Sequence, residues 1–296
     1  MKRTFATFDK ASGFSCREIQ NADESEDENM KIYISADIEG VAGIAHWNEC
    51  DKSKADYKEF AKQMTLEVKA ACEGATEAGA REIWVNDAHD SGRNIDHSLL
   101  PKNTKIIRGW SKHPYGMMQE IDSSFDASIL IGYHSYSSSA GNLLAHTMSG
   151  QFQSIKINGM LLSEFLISLY TSNLEGVPVV FLSGDEGICD SGRKFSNNIK
   201  TVATLKGVGE SAIGEHPVKI TEEIKENVRL ALKNDISKCI INMPNFYKVE
   251  IEFKKPSNAY RNSFYPGMKQ VSDTKVVLEV KEYFEVLRMF VFILGF

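Results

Sequence analysis

The 296-residue sequence lacks the features of several specialised protein classes. No apolar run approaches the ~20 residues that span a bilayer, so we expect no membrane partner. Basic residues are not in excess, since 34 Lys and Arg stand against 40 Asp and Glu, and the net charge of −6 argues against a nucleic-acid partner. The five cysteines are far apart and never form a Cys-x-x-Cys pair, which predicts free thiols in a reducing, cytoplasmic compartment.

The amino-terminal segment differs in composition from the rest of the chain. Its first 30 residues contain seven acidic and four basic side chains. They include the acidic run 23–28 but no apolar core of the ~7–15 residues that a signal peptide needs. Residues 1–29 are therefore predicted to be a disordered acidic extension to a domain that begins at Met30.

From Lys31 to about residue 200, strand and helix patterns alternate. Apolar, β-branched runs predict four strands, and helical spacing of apolar residues predicts two helices, the first ending at Gly79. The predicted strands are 31–36, 82–86, 127–132 and 178–183, and the predicted helices are 55–78 and 161–174. Nearly continuous apolar runs favour strands that are buried on both faces of a parallel sheet.

The last third of the chain has a different pattern. An amphipathic helix is predicted over 220–234, strands over 247–253 and 275–280, and an apolar helix from 282 onward. The sequence therefore predicts an α/β fold with a mainly parallel sheet flanked by helices and a smaller C-terminal α+β part. The predicted domains are 30–200, which holds the metal-binding residues, and 201–296.

Polar side chains follow three of the predicted strands, where open α/β sheets form their sites. Asp37 and Glu39 follow the first strand, His89 the second and His134 the third. Glu164 lies in a predicted apolar helix, where an unpaired charge is costly. These carboxylates and imidazoles could form a mixed nitrogen and oxygen shell for a divalent metal, zinc first. Helix capping by strand-end acids and a structural role for each histidine are the alternative interpretations.

Five short blocks of the sequence, in order, resemble the M55 family of metallopeptidases, the DppA-type D-aminopeptidases. The resemblance runs from about Met30 to near the C-terminus, and the ordered set is more specific than any one block. The blocks are Ser35-Ala36-Asp37-Ile38-Glu39-Gly40-Val41-Ala42-Gly43, Val85-Asn86-Asp87-Ala88-His89, Gly132-Tyr133-His134, Ala145-His146-Thr147-Met148 and Ser163-Glu164.

The resemblance implies a site with two zinc ions per subunit. Asp37 would bridge the metals, Glu39 and His89 would bind one, and His134 and Glu164 would bind the other. His146 would be the catalytic histidine, acting with a metal-activated water as a proton-transfer group, as an oxyanion partner or as a nucleophile. The loop before His146 is about one residue longer than the family pattern.

The function that follows from the resemblance is a cytoplasmic zinc aminopeptidase that removes N-terminal D-amino acids from short peptides. The family also implies a homo-oligomeric ring, with pentamers stacked into a decamer. A dinuclear metallohydrolase of another amide or ester is the first alternative. An inactive peptide-binding homologue is the second, and the intact set of predicted ligands with His146 argues against it.

Overall fold

The computed structural model describes residues 30–295, and the predicted acidic extension 1–29 lies outside these residues. The strands, in chain order, are β1 (Lys31–Ala36), β2 (Glu82–Asp87), β3 (Thr104–Ile107), β4 (Ala127–Tyr133), β5 (Phe152–Ile157), β6 (Met160–Leu161), β7 (Val179–Asp185), β8 (Lys200–Val208), β9 (Ser211–Gly214), β10 (Tyr247–Phe253), β11 (Lys269–Gln270) and β12 (Lys275–Val280). The α-helices are α1 (Tyr57–Ala78), α2 (Glu164–Leu174), α3 (Glu186–Phe195), α4 (Pro217–Lys233), α5 (Pro256–Asn262) and α6 (Tyr283–Leu294).

A large sheet of seven strands, in the order β3-β2-β1-β4-β7-β8-β9, forms the centre of the fold. Its neighbouring strands are parallel, apart from the antiparallel β8–β9 hairpin. β4 and β7 are buried along their whole lengths, as is β1 after its first residue. Helices cover these strands, which explains their continuous apolar sequences. The predicted fold class, a mainly parallel sheet flanked by helices, is confirmed.

The helix that follows β1 forms for the reason that its sequence predicts. The apolar side chains of α1 repeat at helical spacing and pack against α4 and the large sheet. The helix ends at Gly79, whose φ of +116° places it in the left-handed region, and the Gly79 N–H caps the last turn. Within residues 30–295, no helix is both long enough and apolar enough to cross a bilayer.

A second, smaller sheet has five antiparallel strands in the order β11-β12-β10-β5-β6. Helix α2 contacts β4 and β7 of the large sheet, and its Tyr170 ring packs against Tyr247 of β10 in the small sheet. The Tyr283 hydroxyl of α6 donates to the carbonyl of Ile167 in α2. The two sheets do not divide at residue 200, the predicted domain boundary. The chain enters the small sheet at β5 and β6 and then returns to the large sheet for β7 to β9.

The predicted helix 161–174 begins three residues later in the structure. Met160 and Leu161 pair with β5 as a short strand, and Ser163 caps the helix by accepting the N–H of Leu166 at 3.2 Å. Because apolar residues continue from the strand into the helix, the sequence did not indicate where β6 ends and α2 begins. Glu164 is consequently the first residue of α2, at the positive end of the helix dipole, rather than the fourth residue of a helix that begins at Leu161.

Candidate metal centre

The carboxyl ends of three adjacent strands supply four of the predicted metal ligands. β1 lies between β2 and β4, and Ala36 pairs with Asp87 on one side and Ile131 on the other. The three strands therefore end almost level with one another. Asp37 and Glu39 leave β1, His89 leaves β2 and His134 leaves β4, so their side chains meet at one edge of the large sheet.

Two glycines allow the segment after β1 to lie directly against the end of β4. The N–H of Gly40 donates to the carbonyl of Gly132 at 2.8 Å. A Cβ on Gly40 would lie 1.9 Å from the carbonyl oxygen of Tyr133, and one on Gly132, whose φ is +70°, would lie 2.3 Å from that of Asp37. Side chains at these two positions would separate the Asp37–Glu39 segment from His134.

Asp37, Glu39 and His89 form one set of candidate ligands, here called the strand-end group. The Nδ1 atom of His89 lies 3.2 Å from Asp37 Oδ1 and 3.1 Å from Glu39 Oε2. The other ring nitrogen, Nε2, lies 2.9 Å from the carbonyl oxygen of Cys50. A carbonyl only accepts, so Nε2 carries the hydrogen, and neutral His89 presents a lone pair at Nδ1. The three side chains could hold one metal ion.

His134, His146 and Glu164 form a second set, here called the loop group. The Nε2 atoms of both histidines lie 3.5 Å from Glu164 Oε1, and their rings stack at 4.4 Å between centroids. Each Nδ1 atom faces a backbone carbonyl, that of Ser135 for His134 and that of Leu144 for His146. The Nε2 lone pairs therefore face the carboxylate, and these three residues could hold a second ion.

Asp37 lies between the two groups. While its Oδ1 faces His89, its Oδ2 lies 3.6 Å from the Nε2 of His134. The structure therefore brings all six predicted residues together, with Asp37 in the position of a shared carboxylate. It differs from the sequence-based assignment in one respect, because His146, predicted as the catalytic residue, lies as close to Glu164 as the predicted ligand His134 does.

The electrostatics of the cluster favour bound cations. Burial raises the pKa of Asp37, and the neighbouring carboxylate of Glu39 raises it further. Burial opposes the charged form of His134, but Glu164, Glu39 and Asp37 outweigh it and raise the pKa of His134 to about 10. The negative charge of the buried carboxylates thus stabilises positive charge beside them, whether on a histidine or on a bound cation.

Three buried atoms at the centre of the cluster have no hydrogen-bond partner among the described residues. They are Asp37 Oδ2, Glu39 Oε2 and His134 Nε2. Buried polar atoms are rarely unpaired, and all three of these atoms belong to predicted metal ligands. Imidazole nitrogens and carboxylate oxygens are also zinc ligands, so the residues present fit zinc ions.

The matches to known proteins agree with this geometry. The family model Peptidase_M55, described as D-aminopeptidase, matches residues 30–292. The chain belongs to the M55 peptidase family. This membership confirms the resemblance of the five blocks and identifies the chain as an aminopeptidase-type hydrolase.

A sequence match and a structural match, both from Bacillus subtilis, show how far the similarity to M55 family members extends. A D-aminopeptidase of strain 168 is 26% identical over 258 residues, which cover 86% of this chain and 93% of that protein. The solved structure of the Zn-dependent D-aminopeptidase DppA, described as a self-compartmentalizing protease, superposes with a TM-score of 0.84. It is 24% identical, and the superposition covers 90% of this chain and 97% of DppA.

Asp185, to which the sequence assigned no role, fixes the start of the loop that connects His134 to His146. Asp185, at the end of β7, accepts the N–H and the hydroxyl of Ser135, each at 2.6 Å, and the N–H of Ile188 at 2.9 Å. Asn142 extends the network by donating to Asp185 and to the Glu39 carbonyl. Asp185 follows a strand, as the predicted ligands do, so the strand-end pattern could have drawn attention to it.

The metal centre opens into a pocket of about 580 Å³. Trp47, on a 3-10 helix (Trp47–Glu49), lies at its wall with 48% of its surface exposed, and its ring packs 5.3 Å from that of His146. The carbonyl of Cys50, just after this helix, orients His89. Residues 47–50 therefore contact both groups of the centre, although no motif in the sequence pointed to them.

Proposed function

We propose that this M55 family member is a two-zinc aminopeptidase that removes N-terminal D-residues from short peptides. The observation that supports it most directly is the convergence of carboxylate oxygens and imidazole lone pairs on two adjacent spaces, with three buried atoms lacking partners. In this proposal Asp37 is shared, Glu39 and His89 bind one zinc ion, and His134 and Glu164 bind the other. The sequence match and the structural match to D-aminopeptidase from Bacillus subtilis supply the substrate class.

Zinc ions held there would supply the chemistry of a two-metal hydrolase, lowering the pKa of a water and polarising the scissile carbonyl. The protein holds their ligands in place through atoms outside the cluster. The Cys50, Ser135 and Leu144 carbonyls orient the three imidazoles, and the N–H of Met148 donates to Glu164 at 2.6 Å. Such supporting bonds fix the tautomer and orientation of each ligand.

We assign His146 the catalytic role. Its side chain is 17% exposed, whereas that of His134 is fully buried, and His146 lines the pocket. Because Nδ1 faces the Leu144 carbonyl, Nε2 is the atom free to exchange a proton with the substrate or to stabilise negative charge on its carbonyl oxygen. A group with these tasks must reach the substrate, which the fully buried His134 cannot do.

The chain is also proposed to form a cytoplasmic homo-oligomeric ring, with pentamers stacked into a decamer as the family resemblance implies. The description of DppA as self-compartmentalizing supports assembly. Four cysteines of the described residues, Cys50, Cys72, Cys189 and Cys239, are free and buried, which agrees with a reducing compartment. Light scattering coupled to size-exclusion chromatography would determine the oligomer size.

The decisive experiment is metal analysis of the purified protein combined with hydrolysis of matched D- and L-aminoacyl amides. We expect close to two zinc ions per chain and faster hydrolysis of the D-series. Full activity with one tightly bound metal would contradict the two-zinc site. Preference for L-amides would contradict the substrate assignment while leaving the metal site intact.

A further inference from the structure

A half-exposed tryptophan, Trp47, lines the pocket of the metal centre, and the proposed chemistry does not use it. Its side chain is 48% exposed and belongs to the same pocket wall as the metal ligands. The indole N–H of Trp84 donates to Glu82 and that of Trp110 to the Asp90 carbonyl, whereas that of Trp47 has no acceptor among residues 30–295. Trp47 therefore presents an apolar ring and an unused donor to a molecule in the pocket.

The backbone that carries Trp47 is fixed at both ends of a short helix. The 3-10 helix that begins at Trp47 is preceded by a capping box between His46 and Glu49. At its other end, Cys50 donates its N–H to the Trp47 carbonyl at 3.1 Å, and the Cys50 carbonyl faces His89 at 2.9 Å. A ring on such a support loses little conformational freedom when a ligand packs against it.

The indole ring lies beside the histidine to which the catalytic role is assigned. The centroids of the Trp47 and His146 rings are 5.3 Å apart, and the ring planes are tilted by 58°. To exchange a proton with the scissile amide or to stabilise its oxygen, His146 must come within hydrogen-bond distance of that amide. A side chain attached next to the amide can therefore reach the indole of Trp47.

The charges of the pocket indicate which part of a peptide faces Trp47. Two exposed carboxylates that are not predicted ligands, Asp51 and Asp90, line the pocket. Asp90 follows His89 in the sequence, and Asp51 follows the residue whose carbonyl orients His89, so both belong to the side of the strand-end group. Among the described residues of the lining, none is a lysine or an arginine. The α-ammonium group of a peptide is thus attracted to that side, and the leaving part of the peptide lies towards Trp47.

We propose that Trp47 binds the side chain of the substrate's second residue, on the leaving side of the scissile bond, and selects apolar and aromatic side chains there. This inference rests on the proposed function, which brings the scissile amide to His146. An aromatic side chain on the indole face gains the contact energy of an aromatic pair and buries apolar surface. The pocket volume of about 580 Å³ lies within the range of pockets that bind small ligands. The favoured substrates are peptides with a D-residue first and phenylalanine, tyrosine or leucine second.

The test compares two achiral leaving groups that differ only in a phenyl ring. The substrates are the ethylamide and the 2-phenylethylamide of D-alanine, and zinc content is measured in each protein so that a lost metal is recognised. Trp47→Ala is expected to lower kcat/KM for the phenylethylamide ~10-fold more than for the ethylamide. Trp47→Phe keeps an aromatic face and should retain most of the preference. Phe264→Ala, at a 71% exposed ring outside the pocket lining, is the matched control and should leave the ratio unchanged.

A second pair of substrates tests the direction in which the peptide lies. D-leucinamide and D-alaninamide differ in the first residue and lack a second one, so W47A should change the ratio of their kcat/KM values less than ~3-fold. A larger change in this ratio than in the ratio of the two alkylamides would place Trp47 beside the N-terminal side chain and overturn the proposal. An equal effect of W47A on the ethylamide and the phenylethylamide would also overturn it.

Calorimetric titration of the zinc-loaded proteins with non-hydrolysable analogues gives a readout that does not depend on turnover. In these analogues a methylene group replaces the scissile carbonyl of the ethylamide and of the phenylethylamide. The phenylethyl analogue should bind wild type ~10-fold more tightly than the ethyl analogue, and W47A should remove the difference. Equal binding of both analogues to wild type would contradict the contact with Trp47. If wild type hydrolyses none of the amides but the analogues show this difference, the proposed function fails while the contact stands.

Discussion

The strand-end group and the loop group contain three residues each but differ in how these residues are held in place. In the strand-end group, Asp37, Glu39 and His89 follow adjacent parallel strands within three residues of the strand end. In the loop group, His134 follows a strand directly, whereas His146 lies thirteen residues beyond β4 and Glu164 opens α2. The sheet therefore positions the first group, and longer-range contacts position the second.

The two groups also differ in charge. The strand-end group has two carboxylates and one imidazole, whereas the loop group has one carboxylate and two imidazoles. Two anionic ligands attract a divalent cation more strongly than one does. The loop group instead contains the histidine that faces the pocket. We therefore expect the strand-end group to bind its ion more tightly and the loop group to lie closer to the chemistry.

The largest effect is expected from removing a ligand of the strand-end group. In His89→Ala the carboxylates of Asp37 and Glu39 lose the group that faces both of them, so metal content should fall from two to about one per chain. Activity should fall at least ~10³-fold, since a two-metal site then lacks one ion. Metal analysis and amide hydrolysis measure both. H97A, at an exposed histidine, is the control, and two retained zinc ions in H89A would contradict the assignment.

A smaller effect, of a different kind, is expected for the pocket-facing histidine of the loop group. His146→Ala should retain two zinc ions and lose ~10²–10⁴-fold in kcat, because a proton-transfer or oxyanion partner is removed while the ligands remain. Its metal content, measured beside that of H89A, separates the two roles. Loss of one zinc ion from H146A would show that His146 is a ligand, as its 3.5 Å distance from Glu164 also permits.

The same contrast explains how much could be predicted from the sequence. β1, β4 and β7 are buried runs whose apolar residues stand next to one another in the sequence, and the strand-end ligands follow β1 and β2 directly. Parallel strands in register then bring these ligands together without further information. The Gly79 cap was equally local, since only its own turn determines it.

Features that depend on distant contacts were not predictable in this way. β3 has four residues and β5 mixes buried and exposed positions, so neither has a distinct pattern. The start of α2 depends on the pairing of β6 with β5, and the role of Asp185 depends on Ser135, fifty residues away. A small apolar cavity of about 40 Å³ lies between residues 110–117, α2 and α6, which no sequence spacing brings together.

Two aspartates outside the cluster support the two groups, Asp87 the strand-end group and Asp185 the loop group. Asp87 accepts the N–H groups of Asn94 and Ile95 and fixes the segment after His89, while Asp185 fixes Ser135 after His134. An asparagine keeps one acceptor oxygen but replaces the other with a donor. D87N should weaken zinc binding at the strand-end group and D185N at the loop group, each ~10–100-fold.

Zinc transfer to a chelator, followed in time, measures this pair of variants. Two release phases are expected for the wild type, and each variant should accelerate a different one, with both accelerated in D87N/D185N. Acceleration of the same phase by both single variants would mean that the two groups behave as one unit rather than as separately supported sites.

The smallest effect concerns stability beneath the strand-end group. Glu67 of α1 is fully buried and accepts the N–H of Ala42, which follows the Asp37–Glu39 segment. Burial raises the pKa of Glu67 to about 7 from an ordinary value of 4.5, against the opposing hydrogen bonds from Ala42 and Gln63. Between these values the folded state keeps a proton that the unfolded state has lost, so the free energy of unfolding should decrease as pH rises, by ~3 kcal/mol in total.

The variant Glu67→Gln cannot titrate at this position and should remove this part of the pH dependence. Urea unfolding of the zinc-loaded wild type and variant at pH 5 and pH 8 would measure it. An equal pH dependence in wild type and E67Q would show that Glu67 stays ionised in the fold, and that the support beneath the strand-end group is itself charged.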